Sequence, residues 1–303
     1  MVEENNFKSG FVAVVGRPNA GKSTLVNALV GSKVSIVTPV PQTTRNRILG
    51  ILSRPDAQLV LMDTPGVHKP LSRLNEQMMN FVRQALADRD LALLIVDASE
   101  KFGRGDEFVI ELFRKYSPRT ILVLNKVDRV HKPRLLPLID RYSKLYEFEE
   151  IIPISALHGD GTEELLAALI QRLPAGPQYF PTDEYTDQPE RFLAGEIIRE
   201  KIIQQTKQEL PYATAVLVEQ FEESTTLTRV HATIVVEKES QKPIVIGHGG
   251  ARLKEIGSAA RQELERLFPP HVFLELYVKV QPNWRDNRAV IAELDYRHEG
   301  DAE

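Results

Sequence analysis

The chain of 303 residues contains no cysteine, which excludes a disulfide framework, thiolate-bound zinc, iron–sulfur clusters and a cysteine nucleophile. Long apolar runs are also missing: the longest buried-looking one, Leu91–Val96, falls far short of the ~18 residues of a membrane span. Positive charge is scarce. The 38 Lys/Arg against 42 Asp/Glu leave a formal net charge of −4, which taken alone argues against a partner rich in phosphate. The seven histidines (positions 68, 131, 158, 231, 248, 271 and 298) include no i, i+4 pair, so no metal site is expected from them. Met1–Asn6 is acidic and polar, without the basic and apolar regions of a signal peptide. A cytoplasmic protein is the expectation.

What the chain does contain is a rhythm. From Gly10 to about Leu173, short apolar runs (Phe11–Val15, Gln58–Met62, Leu91–Val96, Thr120–Leu124, Glu150–Ile154) alternate with amphipathic stretches. This predicts an α/β domain with a mostly parallel sheet over residues 1–173. Residues 174–190 carry four prolines and no periodicity, the composition of a stiff linker. Residues 191–303 read differently: a helix from Arg191 to about Gln208, strands at Ala213–Gln220 and Leu227–Glu237, and the apolar stretch Pro243–Ile246. A glycine-rich turn, an amphipathic helix to Phe268, a strand at Val272–Val280 and a polar tail from Arg297 complete an α+β domain.

Chemistry concentrates at the ends of the N-terminal strands. Gly16-Arg17-Pro18-Asn19-Ala20-Gly21-Lys22-Ser23 follows the first strand and precedes the amphipathic stretch from Thr24. This is the phosphate-loop pattern: glycines let backbone N–H groups face phosphates, the lysine reaches the β- and γ-phosphates, and the serine hydroxyl ligates Mg²⁺. Asp63-Thr64-Pro65-Gly66 follows the next strand; its carboxylate suits a water-mediated hold on Mg²⁺ and the Gly66 amide suits the γ-phosphate. Asn125-Lys126-Val127-Asp128 fixes the base. A carboxylate at Asp128 accepts from guanine N1–H and the 2-amino group, whereas adenine would leave it unpaired. Lys126 is expected along the base, Asn125 as a tie to the phosphate loop, and Ser155-Ala156 as the source of a backbone N–H for guanine O6.

These four motifs in order resemble the translation-factor-type GTPases over residues 10–173. The resemblance implies a Ras-like fold and GTP/GDP with Mg²⁺ as ligand. It makes Gln42-Thr43-Thr44-Arg45-Asn46 the first switch, with Thr44 rather than Thr43 joining Ser23 and Asp63 at the metal. Where Ras-like proteins carry a water-positioning glutamine, this chain has Val67, so slow intrinsic hydrolysis is expected. In relatives with a hydrophobic residue there, an asparagine at the place of Asn19 helps bind an activating K⁺. Lys22, Thr44, Gly66 and Asn19 are the residues expected to carry hydrolysis.

In the C-terminal half, Gly247-His248-Gly249-Gly250 lies between apolar segments, and glycines are required where a nucleic-acid backbone approaches a protein backbone. The order helix, strand, strand, Gly-x-x-Gly helix pair, strand resembles a type II KH domain, which implies about four single-stranded nucleotides clamped over the loop. Residues 191–303 hold 15 Lys/Arg against 18 Asp/Glu, yet Lys242, Arg252, Lys254 and Arg261 face only Glu255 within 242–261. Gly247, His248, Gly249, Gly250, Arg252 and Lys254 are the expected RNA contacts. The single tryptophan, Trp284, reads equally as a base-stacking platform and as a packing residue.

The whole arrangement, with GRPNAGKST, QTTR, DTPG, NKVD, SAL, VIGHGG and PNWR, resembles the Era family of bacterial ribosome-assembly GTPases. That resemblance implies single-stranded ribosomal RNA near the 3′ end of the small-subunit RNA as partner, with a role in small-subunit assembly. It further implies peripheral membrane contact; a monomer with no DNA partner is also expected. The alternative is an RNA-binding scaffold whose nucleotide site is mainly structural.

Overall fold

The structure is a computed structural model, described for residues 7–207, 209–268 and 271–294. The acidic N-terminus and the tail from Arg297 lie outside the described residues. The chain divides into two compact units. One comprises residues 1–35, 41–70 and 75–187; the other comprises 36–40, 71–74 and 188–303.

The first unit runs β1 (Lys8–Gly16), α1 (Lys22–Val30), β2 (Ile48–Ser53), β3 (Ala57–Asp63), α2 (Arg73–Ala87), β4 (Leu91–Asp97), α3 (Arg104–Tyr116), β5 (Thr120–Asn125), α4 (Leu135–Ser143), β6 (Glu150–Pro153) and α5 (Thr162–Arg172). The six strands lie in the order β2-β3-β1-β4-β5-β6. All pairs are parallel except β2 with β3. Strands β1, β3, β4 and β5 are buried almost throughout, as helix-covered parallel strands must be. The chain leaves β1 toward β3 on one side and returns to β4 on the other. This places the switch point of the sheet at the carboxyl end of β1, where α/β sheets bind ligands.

Two features depart from expectation. Ile48–Ser53, with Gly50 inside it, forms a strand that is not among those expected. The glycine is there for close packing: a Cβ on Gly50 would sit 2.7 Å from Val26 and 3.0 Å from Val30 of α1. The proline-rich stretch expected as a linker is, up to Asp187, part of the first unit. The Gln58 amide accepts from Tyr179 N and Phe180 N and donates to the Phe180 carbonyl. Tyr179 packs on Phe11 at 5.1 Å, and the Tyr185 carbonyl accepts from Ile51 N on the edge strand β2. With three prolines between 174 and 187, this stretch has few backbone donors, so it straps a sheet edge without extending the sheet.

The second unit runs α6 (Glu190–Gln205), α7 (Leu210–Ala213), β7 (Ala215–Glu223), β8 (Thr228–Val236), α8 (Lys242–Ile246), α9 (Ala251–Leu267), β9 (Val272–Val280) and α10 (Arg288–Glu293). Its sheet has the order β7-β8-β9, with β7 antiparallel and β9 parallel to β8. The expected strand from Ala213 begins two residues later, since Leu210–Ala213 closes as a helical turn with Pro211 in its first turn. Ile197, Ile198 and Ile202 of α6 meet Val230, Ala232 and Ile234 of β8 and Ile256, Ala260 and Leu264 of α9 in one core.

Trp284 settles as a packing residue. It is fully buried, and its indole N–H donates to the Ala213 carbonyl at 2.8 Å, so its ring faces are closed to a base. Replacing Trp284 with Ala is expected to destabilise this unit by about 3–5 kcal/mol. Replacement with Phe keeps most of the volume but leaves the carbonyl unpaired, at about 1–3 kcal/mol. Denaturant unfolding of the full chain followed by circular dichroism tests both values.

Candidate nucleotide site and nucleic-acid interface

The phosphate loop is built from backbone conformations that few residues tolerate. Asn19 and Gly21 have φ of 62° and 93°. A Cβ on Gly21 would lie 2.2 Å from the Asn125 amide nitrogen, and one on Gly16 would lie 2.3 Å from the Ile95 carbonyl oxygen. Gly66 is equally constrained, since its Cβ would meet Pro18 Cα and N at 2.7 Å. The second motif is therefore pressed directly against the first. Val67 is buried, and its N–H donates to the Gly16 carbonyl at 3.0 Å; Thr64 Oγ1 donates to Val14 O at 2.7 Å. Pro65 is buried between them, and Thr24 lies in the first turn of α1.

Three oxygen ligands expected for Mg²⁺ converge. Ser23 Oγ donates to Asp63 Oδ2 at 2.7 Å and lies 2.9 Å from Thr44 Oγ1. Thr44 is buried while Thr43 is half-buried, so the loop turns Thr44 inward. One oxygen of Asp63, Oδ1, is buried with no hydrogen-bond partner, which a hard cation or its water would satisfy. The donor set, two hydroxyls and a carboxylate, fits Mg²⁺ chemistry. Burial pushes the Asp63 carboxyl up, against the pull of Lys22. Lys22 Nζ donates to the carbonyls of Arg17 at 3.1 Å and Gly16 at 3.4 Å; burial lowers its ammonium to about 8, opposed by Asp63. A buried cation so held is stabilised by an anion, and phosphate is the anion that this loop geometry fits.

The base-recognition motifs are joined through one side chain. Asn125 donates from Nδ2 to the Ala20 carbonyl at 2.9 Å, while Oδ1 accepts from Lys126 N at 2.8 Å and Ala156 N at 3.0 Å. The expected tie to the phosphate loop is present and extends to the third loop. The Ala156 N–H, expected for guanine O6, is directed at Asn125 here. Asp128 accepts from Ser155 Oγ at 2.6 Å, and this hydrogen bond holds its carboxyl below the usual range. An ionised acceptor at the strand end is what guanine recognition requires. Lys126, at φ 63°, spans Asn19 O at 2.7 Å and Asp97 Oδ2 at 2.6 Å.

Two supporting carboxylates were not found from sequence. Asp97 ends β4 beside Lys126. Asp106 is buried in the first turn of α3 and accepts from Arg17 Nη1 at 2.7 Å, Gly103 N at 2.9 Å and Tyr142 OH at 3.0 Å. The position of Asp97 at a strand's carboxyl end was a usable signal; nothing local marks Asp106 as a partner of Arg17.

In the second unit, α8 and α9 are joined by Gly247–Gly250. Gly247, Gly249 and Gly250 have φ of 76°, 56° and 81°. Gly247 is needed for the turn itself, as its Cβ would meet Arg252 Cβ at 2.7 Å. Cβ atoms on Gly249 and Gly250 would meet nothing within 4 Å, so these two leave backbone open to a partner. His248 and Lys254 are exposed beside them. Arg252 is turned back, its Nη1 donating to the Ile244 carbonyl.

The buried Lys22 makes a pH prediction. With its folded pKa below the ordinary 10.5, the unfolded chain binds more protons between pH 8 and 10.5, so Lys22's contribution to stability rises with pH through that window. Without nucleotide, Lys22→Met is expected to be more stable than the parent at pH 8, by at most about 3 kcal/mol, with the gap closing toward pH 10.5. The variant is also expected to lose GTP binding. Denaturant midpoints across pH and nucleotide titration check the two halves.

Residues 11–126 match the family model described as 50S ribosome-binding GTPase, and residues 209–285 match a KH domain model. The chain is 41% identical to Era solved in complex with MgGDPNP and nucleotides 1506–1542 of 16S ribosomal RNA, over 96% of this chain and 99% of that one, with TM-score 0.91. A Tyr-to-Ala variant of Aquifex aeolicus Era bound to GDP·AlF4⁻ is 40% identical over the same shares, with TM-score 0.92. Identity at this level across both units, on a chain with an α/β G-domain followed by an α+β KH domain, makes this protein a member of the Era family of GTPases.

Proposed function

We propose that the protein binds GTP and GDP with Mg²⁺ and hydrolyses GTP slowly as a switch, and that in the cytoplasm it binds the 3′ region of small-subunit ribosomal RNA through the Gly247–Gly250 loop during subunit assembly. The observation that carries this reading is the convergence of Ser23, Thr44 and Asp63 beside Lys22, from three segments of chain. The Era complex with this RNA segment and MgGDPNP supports the same partner and ligand. In this reading the residues divide by role. Gly16 to Thr24 cradle the phosphates; Lys22 balances their charge; Ser23, Thr44 and Asp63 hold the metal; Gly66 N–H senses the γ-phosphate. Asp128, Lys126, Asn125, Ser155 and Ala156 surround guanine. In the bound state Mg²⁺ supplies charge neutralisation at the phosphates.

Val67 cannot hydrogen-bond a water, so charge or positioning comes from elsewhere. Two features support Asn19 in that role: its backbone lies in the left-handed region, and its carbonyl accepts from Lys126 Nζ. We assign to it the binding of K⁺. Hydrolysis is expected to be at least tenfold faster in K⁺ than in Na⁺, and Asn19→Ala is expected to remove the difference. Equal rates in the two salts reject this assignment.

A switch also requires linkage. If GTP raises RNA affinity, RNA raises GTP affinity by the same factor. Affinity for nucleotides 1506–1542 of 16S ribosomal RNA, measured with GDP and with a non-hydrolysable GTP analogue, is expected to differ by about 5- to 150-fold. Equal affinities, with unchanged GTP binding in the presence of RNA, reject the switch and favour a scaffold.

A further inference from the structure

Directly after the guanine-recognition motif, residues 129–139 (RVHKPRLLPLI) contain Arg129, His131, Lys132 and Arg134 and no acidic residue. Two short 3₁₀ turns, Val127–Arg129 and Lys132–Arg134, carry these side chains into the start of α4. All four are exposed. Pro133 and Pro137 fix φ along this stretch, so the cations are displayed from a stiff backbone and lose little backbone entropy on binding.

The pairing pattern separates this segment from an ordinary solvated surface. Elsewhere in the first unit arginines are mostly engaged: Arg17 with Asp106, Arg47 with Asp88, Arg54 with Glu163, and Arg119 and Arg172 with Glu149. Arg89 and Arg114 bond to backbone carbonyls, and Arg141 lies over the Phe102 ring. The side chains of Lys132 and Arg134 have no hydrogen-bond or ion-pair partner among the described residues, and the Arg129 side chain approaches only Asp128, at 3.9 Å, a carboxylate that also accepts from Ser155. A chain of net charge −4 thus leaves the side-chain cations of this segment without a carboxylate of their own.

The KH loop, by contrast, is poor in available charge. Arg252 is turned onto the Ile244 carbonyl and Arg261 pairs with Glu265, which leaves Lys242 and Lys254 nearest the glycines. Two cations support few phosphate contacts, so tight binding to a long RNA needs further contacts elsewhere on the protein.

We propose that the segment Arg129–Arg134 of the GTPase unit is a second RNA contact, binding the phosphate backbone of ribosomal RNA outside the stretch held by the KH loop. The inference rests on the RNA-binding reading above and adds a separate site to it. Phosphate contacts of this kind carry no base information; they add affinity and fix orientation. The feature that fits a different partner is Leu136, 71% exposed beside the cations, which would suit an anionic lipid surface.

The test uses the full chain, with Arg129 left intact because it adjoins Asp128. The double variant Lys132→Ala/Arg134→Ala is compared with the parent on two RNAs, full-length 16S ribosomal RNA and its isolated 1506–1542 segment. The variant is expected to bind GTP and the short segment within twofold of the parent. On the full-length RNA it is expected to bind about tenfold more weakly near 100 mM salt, with a log K against log salt slope shallower by about 1.5, the value for two lost phosphate contacts. Unchanged affinity and slope on full-length RNA overturn the proposal, as does an equal loss on both RNAs. Phosphatidylserine vesicles that bind the parent but not the variant, with RNA affinity unchanged, overturn it in favour of a lipid contact. If the parent fails to bind the short segment yet the variant still weakens full-length binding, the patch stands and the KH reading fails.

Discussion

The carboxamide of Asn125 joins three loops that are distant in sequence. Its donor reaches Ala20 in the phosphate loop, and its acceptor takes the N–H groups of Lys126 and Ala156. Because the group is buried, each of these bonds is held in a low-dielectric setting where an unpaired amide would cost on the order of kcal/mol. The fit is close enough that Gly21 tolerates no side chain against it. Neither an aspartate, which lacks the donor, nor a leucine, which lacks both functions, serves all three loops. The phosphate site and the base site are therefore one object, and the strand ends that carry them are set by sheet register: Asp97 lies opposite Asn125 across the β4–β5 pair.

Around this frame the site is electrostatically incomplete in a way that matches its ligand. Lys22 is desolvated with its ammonium lowered, Asp63 is desolvated with its carboxyl raised, and one carboxylate oxygen has no partner. Both groups are worse placed in the protein alone than in water. A phosphate beside Lys22 and a cation beside Asp63 reverse both penalties together, which couples nucleotide and metal binding. The stability given up here is recovered from the apolar strands behind the site.

Charge on the rest of the molecule follows a different logic. The acidic excess limits indiscriminate attachment to polyanions, and the exceptions are local. The Gly247–Gly250 turn offers open backbone with few cations, suited to a short single-stranded segment in which close approach matters more than charge. Residues 129–134 offer exposed charge on a proline-stiffened backbone. Average composition conceals both, because long-range fields are screened within about 8–10 Å at moderate salt, so a binding surface depends on its nearest charges.

Motifs at strand ends were legible in the chain because their chemistry is local: a phosphate loop, a strand-end carboxylate and a guanine acceptor each occupy a few adjacent residues, and hydrophobic rhythm places them on one edge of a sheet. The same holds for the two-unit order and for most strands. What sequence could not supply rests on contacts across long separations. That Thr44 rather than Thr43 faces Ser23 was implied only by the family resemblance and is decided by the path of the loop. The strap over β2 depends on Gln58 meeting Phe180, 122 residues away, and the Arg17–Asp106 pair joins residues 89 apart. Trp284 and Arg252 show the same limit, since a bond to the Ala213 carbonyl holds Trp284 in the core and a bond to the Ile244 carbonyl turns the half-buried Arg252 back on its own unit. Residue type and spacing determined what chemistry this protein holds; only packing, which desolvates some groups and leaves others exposed, decided which side chains are free to perform it.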